Sequence, residues 1–251
     1  MIKKEKSGFV TVLQMEQGKV NALDMELLTE LKSEFEQLRE SGAKAVVLTG
    51  AGSSFSAGVD LFRILNGGKA YLNSFLPALN NAVLNLFTFP KPVVAAVNGH
   101  AIAGGCVLVC ACDYRIMSKG EGRIGVPELL VGVPFPSIPL EIMRFVVPKP
   151  RLQEVIYLGQ TYLPEQAQKY GLIDEIVTPE DVLERACKQA ERLAAIPEET
   201  FQVTKRLLRQ PLIENYERFG KKFDSETSEI WGSAKIHDVI RNYLEKTIGK
   251  R

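Results

Sequence analysis

The sequence predicts an α/β protein: strands alternate with helices in the first part of the chain, and helices alone follow. Three observations predict it. Short β-branched runs and helical stripes of apolar residues alternate from residue 9 to residue 117. Two of those runs, 45–49 and 93–97, are almost free of polar residues, as strands covered on both faces are. Beyond Pro150 the apolar spacing turns almost entirely to three and four residues.

The first strand covers 9–15, where Val10, Thr11 and Val12 precede a polar turn at 16–19. Leu23, Leu27, Leu28, Leu31, Phe35 and Leu38 then mark an amphipathic helix, with Asn21 or Asp24 available as its cap and Gly42 behind it. Strand 45–49 runs into Gly50-Ala51-Gly52, a loop signal. Strand, long helix, strand is the order of a crossover unit with parallel pairing. A second helix spans 72–87 on the stripe Leu72, Phe75, Leu76, Leu79, Val83, Leu84 and Phe87, and Pro90 and Pro92 stop it. Strand 93–97 ends in the turn Asn98-Gly99. Residues 104–111 are small or branched without a polar interruption, which predicts a helix buried on all sides, and 113–117 returns to strand. Gly125, Pro127, Gly132, Pro134, Pro136 and Pro139 make 120–139 a shaped loop. Helices are expected at 151–158, 164–170, 179–195 and 197–209, and apolar stripes continue from Ile213 to Leu244. This division places an α/β core at 1–195 and a helical region at 196–251, with a hinge near Ile196. The helical region's apolar stripes need something to cover them, such as a neighbouring subunit.

Composition narrows the function. In 251 residues, 31 Lys and Arg balance 30 Asp and Glu, which excludes a strongly basic nucleic-acid binder or an acidic tail protein as a whole-chain reading. No run approaches the roughly 18 apolar residues of a membrane span. Cys106, Cys110 and Cys112 are closely spaced with no histidine placed to complete a zinc site, so these and Cys187 read as free thiols. No acidic cluster suggests a metal. Behind the basic stretch 1–6 there is no leader-like apolar run with a cleavage site, and the expected compartment is a reducing cytoplasm.

Two glycine-bearing loops, 50–58 and 99–105, follow buried strands. Such loops bring peptide N–H groups close to a ligand, or simply turn the chain. Neither carries the Gly-x-Gly-x-x-Gly or the Lys-Ser/Thr pattern of nucleotide loops. Glu128 is the only carboxylate between Glu121 and Glu141, and it lies between Pro127 and Leu129-Leu130-Val131. An acid in an apolar wall is a candidate general base near neutrality; an acid at a helix start or facing solvent is the plain alternative. His100 and His237 are the two histidines, and pairing His100 with Cys106 is the one nucleophile–base arrangement available.

The run Thr49-Gly-Ala-Gly-Ser-Ser-Phe-Ser-Ala-Gly-Val-Asp-Leu61, followed by Pro92-Val-Val-Ala-Ala-Val-Asn-Gly-His-Ala-Ile-Ala-Gly-Gly-Cys106, resembles the enoyl-CoA hydratase/isomerase (crotonase) superfamily. Gly125-Val-Pro-Glu-Leu-Leu-Val-Gly-Val133 and Gly159-x4-Pro-Glu-Gln-Ala-x3-Gly-Leu-Ile-Asp174 extend the likeness over essentially the whole chain. The resemblance implies a ββα spiral core with a C-terminal helical region, an acyl-CoA thioester as substrate, no metal or covalent cofactor, and a homotrimer or dimer of trimers. It also implies an oxyanion hole formed by the N–H groups of Val59 and Gly104. Ser56, Ala57 and Asp60 would border the CoA moiety, and phosphate contacts would come from Arg63, Lys69 or the Lys246/Lys250 tail. Leu76, Leu79, Val107 and Phe135 would line the acyl pocket.

The departures choose the subtype. A hydratase of this kind uses two glutamates; the second falls on Glu128, but the first falls on Val107, which cannot activate water. Val133-Pro-Phe-Pro-Ser137 replaces the usual glycine-rich turn. The single acid resembles enoyl-CoA delta-isomerases, with Glu128 moving one proton and hydration disfavoured. Other crotonase-type reactions, such as decarboxylation recruiting His100 or Arg144, or thioester hydrolysis, are the alternatives within enzymes. A non-catalytic acyl-CoA-binding protein is the alternative outside them.

Overall fold

A computed structural model describes residues 1–248. The chain opens with β1 (Ile2–Ser7), β2 (Val10–Met15) and α1 (Met25–Arg39). Three turns of the same kind follow: β3 (Ala45–Gly50), β4 (Ser54–Ser56) and α2 (Leu61–Phe87); β5 (Val93–Val97), β6 (His100–Ile102) and α3 (Gly104–Ala111); β7 (Tyr114–Ser118), β8 (Ile124–Gly125) and α4 (Glu128–Val131). Each turn gives one strand to a six-stranded sheet, ordered β1-β2-β3-β5-β7-β10, and one to a four-stranded sheet, ordered β4-β6-β8-β9. The repeated ββα turn is the spiral core that the sequence resemblance implies. Helices α5 (Ser137–Val146), α6 (Lys149–Leu158) and α7 (Pro164–Lys169), with β9 (Thr161–Tyr162) and β10 (Glu175–Val177), complete it. Then come α8 (Val182–Ala194), α9 (Glu198–Asn215), a π-helical turn (Tyr216–Gly220), α10 (Lys221–Trp231) and α11 (Ala234–Ile248).

The large sheet follows from its residues. β3 and β5 are buried along their whole length and pair in parallel, as apolar strands joined by crossover helices must. Asp24, not Asn21, caps α1, its carboxylate accepting from the Leu27 N–H at 2.8 Å. Helix α3 is buried on every residue, as its unbroken apolar sequence requires.

The structure corrects four expectations. Residues 2–7 form an edge strand antiparallel to β2. The second helix begins at Leu61, eleven residues before the expected start, and breaks at Gly68 (φ 54°, ψ −150°). Residues 120–139 are not one loop, since they hold β8, α4 and the start of α5. The small sheet was not anticipated at all.

At the expected hinge, α8 ends at Ala194 and Pro197 starts α9. A buried ion cluster then ties α9 back to the core. Asp113 accepts from the Lys205 ammonium at 2.6 Å, the Arg209 guanidinium at 2.8 Å and the Val93 N–H at 2.8 Å. Arg209 also donates to the carbonyl oxygens of Phe87 and Ala111. Leu212, Trp231 and Ile240 join the main core from the helical region. Removing Asp113 would strand two buried cations. Asp113→Ala is therefore expected to lower stability by about 3–5 kcal/mol in urea titrations, far more than removal of an exposed acid such as Glu5.

Candidate active site

The strands of the small sheet set the geometry. β4, β6 and β8 are parallel neighbours, and Ser56 pairs with Ala101, which pairs with Ile124. Val59 and Gly104 follow Ser56 and Ala101 by three residues and Glu128 follows Ile124 by four, so the three emerge side by side from successive turns. Gly58 makes the approach close: at φ 82°, a Cβ there would lie 2.6 Å from the Ile102 oxygen and 3.1 Å from the Gly104 nitrogen. Between them Ala103 is held at φ 52°, ψ −123°, a conformation that costs a non-glycine residue about 1–3 kcal/mol.

Two backbone donors are left available at this point. Leu23 bridges past Val59, donating to the Gly58 oxygen at 2.8 Å and accepting from the Asp60 N–H at 3.0 Å. The Val59 N–H takes no part in that bridge and lies on its other side. Gly104 is the first residue of α3, where an N–H has no partner within the helix and the helix dipole favours negative charge.

Val59, Gly104 and Glu128 line one cavity of about 670 Å³. Leu79 and Val107 also face it, as do Val131, Val133, Pro136 and Pro139, and the helical region contributes Trp231 and Tyr243. Among the described residues lining it, Glu128 is the one carboxylate. Glu128 is 8% exposed, and its Oε2 has no hydrogen-bond partner among the described residues. Burial pushes its carboxyl up to about 8, outweighing a hydrogen bond with its own backbone that pulls it down.

A wider groove adjoins this cavity and shares Ala57, Val59, Leu61, Ile102, Pro127 and Tyr243 with it. The groove also carries Asp60, the exposed Phe62, His100 and Arg123.

The other residues singled out from sequence fall in several places. Ser56 is fully buried, donating to the Asn21 oxygen at 2.7 Å and accepting from the Gly58 N–H at 3.2 Å, so it holds the loop without lining either space. Asp60 caps α2 at its rim. Arg63 faces away from both: it forms a bidentate pair with Glu26 at 2.7 and 2.8 Å and lies 3.4 Å from Asp24. Leu76 and Phe135 are buried behind the cavity, each lining a different surface depression. Lys69 lines one of these depressions, Lys246 is exposed near the end of α11, and Lys250 lies outside the described residues. His100 Nδ1 accepts from the Arg123 N–H at 3.2 Å and is not paired with Cys106. Arg144 pairs with Glu141 at 2.7 Å. Sequence reasoning missed Trp231, Tyr243 and Arg123, because the first two lie on amphipathic helices far along the chain and the third is an isolated surface arginine. Among the described residues no group of His, Cys, Asp and Glu could hold a metal ion, and no helix is long and apolar enough to cross a membrane.

Comparison with known proteins finds relatives along essentially the whole chain. The sequence profile of the enoyl-CoA hydratase/isomerase family matches residues 5–249. The mouse (Mus musculus) protein named enoyl-CoA delta isomerase 1, mitochondrial, is 28% identical over 100% of this chain and 88% of its own length. A putative enoyl-CoA hydratase of Thermus thermophilus is 33% identical over 83% of each chain. The crystal structure of the human mitochondrial delta3-delta2-enoyl-CoA isomerase superposes with a TM-score of 0.95 at 26% identity, covering 100% of this chain and 99% of that one. These relatives overturn the expectation of a cytoplasmic protein, since the matching mouse, rat and human isomerases are all named mitochondrial. Free buried thiols, on which that expectation leaned, suit any reducing compartment and do not choose between two of them.

The burial of Glu128 has a stability consequence. The native carboxyl keeps its proton up to about 8, whereas an unfolded one loses it near 4.5. The native state thus holds the extra proton within that window, and stability falls as pH rises through it, reaching its full deficit above 8. Glu128→Gln removes the deficit. Thermal denaturation is expected to show the variant gaining over wild type at pH 9 and matching it at pH 4; equal gains at both would contradict a desolvated acid.

Proposed function

The chain belongs to the enoyl-CoA hydratase/isomerase family and performs acyl-CoA chemistry of the crotonase kind; within that chemistry, we propose that it isomerises 3-enoyl-CoA to 2-enoyl-CoA by single-glutamate proton transfer. The observation that carries this reading is a lone, desolvated carboxylate in an otherwise apolar cavity beside two available peptide donors. The substrate's CoA moiety would occupy the wider groove and its thioester would enter the inner cavity, with CoA present only as part of the substrate.

The thioester oxygen would accept from the Val59 and Gly104 N–H groups. Glu128, ionised, would take a proton from C2, and the resulting dienolate would place its charge on that oxygen. One such donor is worth about 3–4 kcal/mol to the transition state. Glu128 would then return the proton to C4, so the double bond moves and nothing else is consumed or released. A carboxyl pushed up to about 8 suits this transfer, because it is a stronger base than an ordinary glutamate while its protonated form is still a far stronger acid than the carbon it reprotonates.

Hydratases are among the matched relatives, so family membership alone leaves both reactions open. The local geometry favours isomerisation. Syn hydration needs a water held and activated by two polar groups, and the position facing Glu128's cavity from α3 is Val107. The Trp231 N–H, another polar group there, is committed to the Pro134 oxygen at 2.9 Å.

Incubation with 3-hexenoyl-CoA, followed by the ultraviolet absorbance of the conjugated product, tests the reading. Wild type is expected to turn over with kcat/KM rising with pH to a plateau above about 8, as Glu128 ionises. Glu128→Gln is expected to lose about 10²–10⁴-fold while still binding hexanoyl-CoA. A wild type that adds water to 2-hexenoyl-CoA faster than it shifts the 3-hexenoyl double bond would replace this assignment with hydration.

We further propose that 196–251 is an assembly region forming a homotrimer or dimer of trimers. Leu207, Leu208, Phe219, Phe223 and Ile230 are exposed on its helices, and several border an apolar groove with Tyr157 and Leu129. Light scattering on the purified chain is expected to give three or six times the 27.8 kDa protomer mass. Phe223→Glu is expected to shift that mass toward the monomer, and a monomeric wild type would refute the assembly.

A further inference from the structure

The inner cavity has two ends. Toward the wide groove it shares six residues with it, which makes that end the entrance. The opposite end is bounded by Leu79 of α2, Pro136 before α5 and Trp231 at the end of α10. A separate surface depression shares Pro136 with the cavity; Leu76 and Asn80 of α2 and Thr227 and Ser228 of α10 line it, but so do the charged Lys69, Asp224 and Glu229, so it is a polar, open space. Leu76 and Asn80 neighbour Leu79 on α2, while Thr227 and Ser228 lie one turn before Trp231 on the same face of α10. The same three elements therefore flank both spaces, and the Trp231 indole lines the inner one.

That indole is fixed. It is 3% exposed, and its Nε1–H donates to the Pro134 oxygen at 2.9 Å, which holds the ring against the segment leading into α5. A long side chain without such a bond could swing aside for a guest; Trp231 would have to give up both the hydrogen bond and its burial.

We infer that Trp231 is the specificity-determining end wall of the acyl site and restricts the enzyme to short acyl thioesters. This rests on the reading of the inner cavity as the acyl-CoA site. Methylenes beyond the wall find no apolar space in the native enzyme, so a dodecanoyl chain gains nothing over a hexanoyl chain and must fold back or displace the indole. Cutting the indole away leaves the buried volume of its ring to the acyl chain.

Calorimetry with two saturated thioesters, hexanoyl-CoA and dodecanoyl-CoA, tests this without requiring turnover. Wild type is expected to bind hexanoyl-CoA more tightly. Trp231→Ala is expected to gain about tenfold for dodecanoyl-CoA relative to hexanoyl-CoA, the effect of burying two further methylenes. Trp231→Leu, which keeps more of the core packing, should shift the same way by less, and Trp231→Phe least of all. Retained hexanoyl-CoA binding in Trp231→Leu shows that the site is intact even where Trp231→Ala fails to fold. A wild type that binds dodecanoyl-CoA as tightly as hexanoyl-CoA, or a length preference unmoved by Trp231→Leu and Trp231→Ala, overturns the inference. Saturated thioesters keep the two readings apart. Length selectivity without 3-hexenoyl-CoA turnover would strike the isomerase assignment alone, and turnover without selectivity would strike the end wall alone.

Discussion

The alignment of three very short parallel strands, β4, β6 and β8, on one row of residues is what the rest of the site depends on, with an irregularity between Ser54 and Ser56 absorbed ahead of that row. They contribute two or three residues each, too little to stabilise a sheet by themselves. Their work is alignment: because Ser56, Ala101 and Ile124 stand in one row, the helix starts that follow are brought to one place. A slip of one residue at either pairing would turn a donor or the carboxylate away from the others. The glycine at 58 and the strained alanine at 103 make sense in that light, since both sit where two of these junctions nearly touch. The large sheet beneath, with its buried β3 and β5, bears the cost of holding such a small sheet in register.

Two buried acids show how differently the same chain treats a carboxylate. Asp113 is met by Lys205, Arg209 and a backbone N–H, and it serves as a fastener between core and helical region. Lys205 is itself pushed down to about 8 by burial, so this fastener is made from groups that would each be costly alone. Among the described residues no cation meets Glu128, and one of its oxygens is unpartnered. The first arrangement stabilises the fold. The second destabilises it at the pH where the carboxylate forms, and a desolvated carboxylate at a cavity wall is what proton transfer near neutrality calls for.

Legibility in the sequence followed the length of each feature. Helices such as α1 and the long strands β3 and β5 are several residues of consistent pattern, and their residues announce them. The small sheet was invisible because alternation cannot show itself in Thr161–Tyr162 or Ile124–Gly125. Glu128 stood out because proline and apolar neighbours isolate it in sequence as they do in space. Arg63 shows what sequence order hides: a basic residue after the Asp60 loop suggests a phosphate contact, and in the fold it is paired with Glu26 and Asp24, far back in the sequence. Trp231 and Tyr243 carry the same helical spacing as any core residue, and nothing local marks which core positions happen to face a cavity.

The division of labour along the chain has a physical origin. The groups proposed to react come from 59 to 128, where backbone geometry is fixed by the spiral and a displacement of one ångström would spoil a donor or a base. The far wall comes from α10 and the entrance is shared by α11, elements held by side-chain packing and by the Asp113 cluster one helix earlier. Val239 of α11 packs so closely on Gly132 that a Cβ there would lie 2.5 Å from its methyl group, which seats the helical region directly behind the glutamate helix. On the proposed reading, chemistry rests on backbone register and acyl preference on the side chains of a separate layer. A change in Trp231 leaves β4, β6 and β8 untouched, so the acyl chain accepted can alter while the donors and the carboxylate keep their places.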